Sequence, residues 1–239
     1  MPLLDHFRSP MTDEAPWTSV GAQWIAWTLR WLNRTLPAVG YRAFSRIYLG
    51  NMAEADIGEY ERTPGEKWPE VDPTEGGSAT AVLPPPVGTL TPIFPDHFEV
   101  EILTTRGGMR LVAVLEFISP SNKDWPDTRR KFVDKCVAYL DGGVGVVLAD
   151  VVTGRRANLS NELVIGLGAT TPLLADCHTY TSSFSPSPRD CNTPRLDVWA
   201  YRADVGQRIP SVPLPLADGP PLMIDLEATY TEACADHGL

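Results

Sequence analysis

The chain has 239 residues, 43% of them hydrophobic, and its 20 basic residues against 30 acidic ones give a formal net charge of −10. The apolar fraction excludes wholesale disorder and fibrous repeats, and the length suffices for one large domain with a real core. No run approaches the roughly 18 apolar residues of a membrane helix, and there is no basic-then-apolar signal pattern, so a cytoplasmic protein without a membrane partner is expected.

From the N-terminus, Val20, Trp24, Trp27 and Trp31 recur at helical spacing and Pro37 forces a stop, predicting a helix over 18–36 that docks by its aromatic face. Residues 41–60 read as a strand or short helix leading into a second strand near 55–60. Residues 61–95, rich in Pro, Gly and Glu, read as a surface excursion. Phe98, Val100 and Ile102 alternate with Glu99, Glu101 and Leu103, then Arg106-Gly107-Gly108 turns the chain into the apolar run Leu111–Ile118. This is a β-hairpin with a half-exposed first arm and a buried second arm. Within that second arm stands Glu116, a carboxylate that is costly to bury unless it is paired, hydrogen-bonded or bound to a metal.

Trp125-Pro126-Asp127 is a helix start, with Pro in the first turn and an acid facing the dipole; the helix is expected to reach Leu140 and stop at Gly142-Gly143. Phe132, Val133, Cys136, Val137 and Leu140 form its apolar face, while Lys131, Lys135 and Tyr139 line one flank, with Tyr139 read as packing. The apolar run at 144–152 then reads as a strand covered on both faces, so that strand, helix and strand form a right-handed crossover with a parallel pair. Beyond it are expected a further hairpin or edge strand at 195–201, a Pro-rich wrap and a short acidic C-terminal helix from about Leu222, with 205–239 wrapping a single domain of 239 residues. The four cysteines lack zinc-knuckle spacing and read as reduced, buried thiols.

The segments VAVLEFISPSNK (112–123) and RRKFVDKCVAYLDGGVGVVLADVVTGRR (129–156), with LNRTLP.VGYRAFSRIYLG before them and IPSVPLPL after, resemble the PD-(D/E)XK nuclease superfamily. Within it they look most like the domain-of-unknown-function family forty fifty-eight, a relative of the Uma-two endonucleases. The resemblance covers most of the chain. It implies an α/β fold with a restriction-endonuclease-like mixed sheet flanked by helices, here with an added N-terminal helix and the Pro-rich C-terminal wrap. It also implies hydrolysis of phosphodiester bonds with Mg²⁺ or Mn²⁺.

Such chemistry needs a divalent ion to offset charge on the phosphoryl oxygens and activate water, and Mg²⁺ accepts one or two carboxylates. The candidate metal ligands are Glu116, Asp56 from EADIGEYE, and Glu101 as an auxiliary, since Glu99 and Glu101 would share the face of Glu116. Asp96, in a literal Pro95-Asp96, competes with Asp56, where Ala55 replaces the usual Pro. The E-x-K position holds Ile118, and by resemblance to the Uma-two pattern the catalytic lysine is Lys135, with Lys123 second. A non-catalytic binding module on the same fold is the rival reading, and strand-edge pairing is compatible with a homodimer. The acidity is concentrated in 52–75 and 217–239, whereas 122–135 carries five basic and three acidic side chains. A nucleic-acid partner is therefore compatible with the chain, though not through a strongly basic surface.

Overall fold

A computed structural model describes residues 1–48, 97–186, 195–217, 219 and 221–239, so the expected strand near 55–60, the excursion at 61–95, Asp56, Asp96 and Cys191 lie outside the described residues. The expected hairpin is present. It joins β2 (His97–Thr104) to β3 (Arg110–Phe117), antiparallel, with Glu99 opposite Glu116. Before it, β1 (Tyr41–Tyr48) pairs antiparallel with β2, so this segment resolves as strand rather than helix.

The crossover also forms as expected: β3 lies parallel to β4 (Gly145–Asp150), the two being joined by α3 (Pro120–Asp124) and α4 (Pro126–Asp141). Two elements that the pattern did not mark follow, α5 (Leu159–Gly166) and β5 (Tyr180–Pro186), and then the expected edge strand β6 (Leu196–Arg202). The result is a six-stranded mixed sheet in the order β1-β2-β3-β4-β5-β6.

The Pro-rich C-terminal segment is partly strand. β7 (Val212–Leu214) pairs with β8 (Leu222–Ile224), and the last helix, α6 (Leu226–Asp236), starts four residues later than expected because Asp225 caps it by accepting from the Ala228 N–H. At the other end of the chain, the short helix α1 (Met11–Glu14) precedes the aromatic helix α2 (Trp17–Thr35), which ends in a 3-10 turn containing Pro37.

Helices cover both faces of the sheet. On one face α2 and α6 pack with Val100, Leu115, Phe117 and Val147. Trp24 anchors this layer: its ring stands edge-on to Phe117 at 4.9 Å and to Tyr230 at 5.3 Å, and its indole N–H donates to Leu226 O and Thr229 Oγ1. On the other face α4 and α5 pack with Val114, Val146, Leu148 and Phe184. Because strand side chains alternate, this second face also receives Glu99, Glu101, Glu116 and Asp150. No helix among the described residues is long and apolar enough to cross a membrane.

Candidate functional site

Glu116 is 2% exposed and Glu99 6% exposed, facing each other across the β2–β3 pair. Two carboxylates at this distance from water and from each other need positive charge. Helix α4 supplies it: Lys135 Nζ lies 2.5 Å from Glu116 Oε1 and 3.2 Å from Glu99 Oε2. One helical turn on, the Tyr139 hydroxyl donates to Glu99 Oε1 at 3.1 Å. The sequence placed Lys135 and Tyr139 on one flank. The crossover turns that flank toward β2 and β3, so Tyr139 is a polar member of the cluster and not packing alone.

The two acids titrate in opposite directions. Burial pushes the Glu116 carboxyl well above the ordinary range, against the pull of the Lys135 charge. Burial also acts upward on Glu99, but the hydrogen bond from Glu116 and the Lys135 and Tyr139 contacts outweigh it and hold Glu99 low. Lys135, penalised by burial, is nevertheless held above its usual value by the two carboxylates. Burial and the neighbouring acids push the Tyr139 phenol well up. At neutral pH the cluster is thus a pair of acids, one retaining its proton far more tightly than the other, bridged by an ammonium. Glu116 Oε1 has no donor in hydrogen-bond alignment; what faces it is the Lys135 charge.

Glu101 sits two pairs further along β2, opposite Val114, and its carboxylate binds Arg46 Nε at 3.0 Å. The sequence named Glu101 as the auxiliary acid. Glu99 is the residue directly across from Glu116, and counting outward from a Gly107-Gly108 turn would have found it. The five-residue connection between the strands and the register shift near Ile102/Leu103 offset one another.

Lys123, the second candidate for the catalytic lysine, lies away from this pair: its fully buried ammonium stands 2.8 Å from Asp150 Oδ2, 2.7 Å from the His178 carbonyl and 3.3 Å from the Val152 carbonyl. Burial raises the Asp150 carboxyl to about 6 despite that ion pair. Asn122 accepts from the Ser119 N–H at 2.8 Å, so the SPSNK segment is a helix start and an anchor between the ends of β3 and β4.

Glu99 and Glu116 are two carboxylates side by side, the donor type Mg²⁺ takes, with the Lys135 ammonium 2.5 Å from Glu116 Oε1. They do not make an all-protein cage: among the described residues no group of three or more His, Cys, Asp or Glu is arranged to hold a metal. Comparison with family models, curated proteins and solved structures finds no match.

Proposed function

We propose that the protein is a metal-dependent phosphodiester hydrolase, a nuclease on a restriction-endonuclease-like sheet, with Glu116, Glu99 and Lys135 at its centre. The observation that carries this reading is the buried Glu99–Glu116 pair with the Lys135 ammonium at 3.2 and 2.5 Å. Buried unlike-titrating acids beside a lysine are costly as structure and useful as chemistry. When bound, Mg²⁺ or Mn²⁺ offsets charge on the phosphoryl oxygens and acidifies its water.

In this reading Glu116 and Glu99 would hold the ion. Lys135, which stands against both carboxylates, would offset the negative charge that develops on the phosphoryl group. Tyr139 keeps Glu99 oriented. The absence of a three-ligand group among the described residues favours a second reading, a binding module whose lysine neutralises its acids permanently.

Cleavage of single- and double-stranded DNA and RNA with Mg²⁺ or Mn²⁺ separates the two. The catalytic reading expects cleavage by the wild-type chain, lowered about a hundredfold or more by Glu116→Ala and by Lys135→Met. Cleavage that Glu116→Ala leaves intact removes the assignment, and no cleavage under any of these conditions favours the binding module.

A further inference from the structure

On the face of the sheet that carries the acid cluster, α4 and α5 leave β1 uncovered. Three side chains of that strand alternate onto this face, Arg42 opposite Leu103, Phe44 opposite Glu101 and Arg46 opposite Glu99. All three are exposed, Phe44 at 42%. The row therefore runs alongside the Glu99–Glu116 pair with only β2 intervening. Glu101 holds Arg46 Nε at 3.0 Å and so fixes one guanidinium against the sheet. At the other end a shallow cavity of about 320 Å³ opens between Arg42, Phe44, Thr105 and Met109.

An isolated exposed aromatic is ordinary. An aromatic flanked on the same face by an arginine at each second position, level with a buried acid pair, is a patterned surface. The structure assigns this row, we infer, to a single-stranded nucleic acid, one base stacking on Phe44 while neighbouring phosphates meet Arg42 and Arg46. The inference rests on the phosphodiesterase reading for its biological setting, but its evidence is the β1 face.

The chemistry selects this occupant. Arginine is the side chain suited to phosphate, and every nucleobase has a face that stacks on an aromatic ring, whatever the sequence. A duplex keeps its bases stacked on one another and offers Phe44 no base face. A second copy of the same strip would set Arg42 and Arg46 against like charges. Because the net charge is −10 and this row holds only two arginines, binding is confined to it and should be modest and salt-sensitive.

The test is fluorescence anisotropy with the full chain in EDTA, so that no cleavage intervenes. The probes are fluorescein-labelled dT20, rU20 and a 20-base-pair duplex. The expected result is binding of the single strands in preference to the duplex, with dT20 and rU20 deciding between DNA and RNA. Phe44→Ala should raise Kd about tenfold, Phe44→Trp should retain wild-type affinity, and Arg42→Gln should weaken binding while lowering the salt slope by about one phosphate contact. Unchanged thermal unfolding of these surface variants verifies that they fold.

Absence of single-strand binding by the wild-type chain, preference for the duplex, or a Kd within twofold of wild type in Phe44→Ala overturns the inference. The outcome is separable from the nuclease assay. Phe44-dependent binding without any metal-dependent cleavage leaves the strip standing and removes the nuclease. Glu116-dependent cleavage with Phe44-independent binding does the reverse.

Discussion

At position 116 a carboxyl group is tolerated in a strand of Val, Leu and Phe because Glu99 faces it across the ladder and two groups of α4, Lys135 and Tyr139, converge on the pair. Burial pushes the Glu116 carboxyl well up, so Glu116→Gln, which keeps the shape without the charge, should leave thermal stability near wild type even where it removes cleavage. Lys123 behaves in the opposite way. Its charge has no role beyond holding Asp150 and two carbonyls, and removing it strands a buried carboxylate.

Lys123→Met is therefore expected to cost about 3–5 kcal/mol in urea unfolding, and adding Asp150→Leu should restore most of that loss. The raised Asp150 carboxyl favours folding fully below its ordinary value of 3.8, and that contribution fades as pH rises through about 6. The Lys123→Met deficit should accordingly grow between pH 4 and pH 7. A deficit that is flat across that range, or no recovery in the double variant, would show that the pair does not act as described.

Among the elements, those with strong periodicity were legible in the sequence and those stabilised by their neighbours were not. The hairpin, α4 and β4 emerged near their observed limits because each carries its own apolar pattern and stop signals. β5, with the sequence YTSSFSP, has too few apolar residues to register as a buried strand. It is buried because β4 and β6 flank it, and Thr181 and Ser183 satisfy their hydroxyls on the Pro210 and Pro213 carbonyls of the C-terminal segment. α5 spans only about two turns, too short for a period to show.

That C-terminal segment also limits β4. A Cβ on Gly145 would stand 2.7 Å from Pro215 Cβ and 3.0 Å from the Pro215 carbonyl oxygen. Gly145→Ala should then destabilise by about 1–3 kcal/mol, measured by urea or thermal unfolding. A neutral result would mean that the β7 approach adjusts freely.

For the whole molecule, the N-terminus acts as a clasp over α6. The Met1 ammonium meets Glu227 and Thr231, Leu3 is buried, and His6 Nε2 accepts from the Tyr230 hydroxyl at 2.7 Å while Nδ1 donates to the Ala15 carbonyl. Burial holds the His6 pKa below 6.5, so its contribution to stability is present above 6.5 and is lost as pH falls through the lowered value. Asp150 works in the other direction, so the informative quantity is a difference between variants. His6→Gln should narrow its stability gap to wild type as pH drops from 7 to 4.5 in thermal unfolding, and a gap independent of pH would discount the clasp as a titrating element.

By itself the sequence determined the α/β class, the hairpin, the crossover with its parallel pair, and the anomaly of a carboxylate in a buried strand. It also set which side chains share a face, since periods of 2 and 3.6 are local properties of a backbone. Only the tertiary structure decided which charges meet: Lys135 against both Glu116 and Glu99, Lys123 against Asp150, and Tyr139 within the cluster. Those contacts depend on how α4 lies over β2 and β3. That placement follows from packing between separate elements, which no local period encodes.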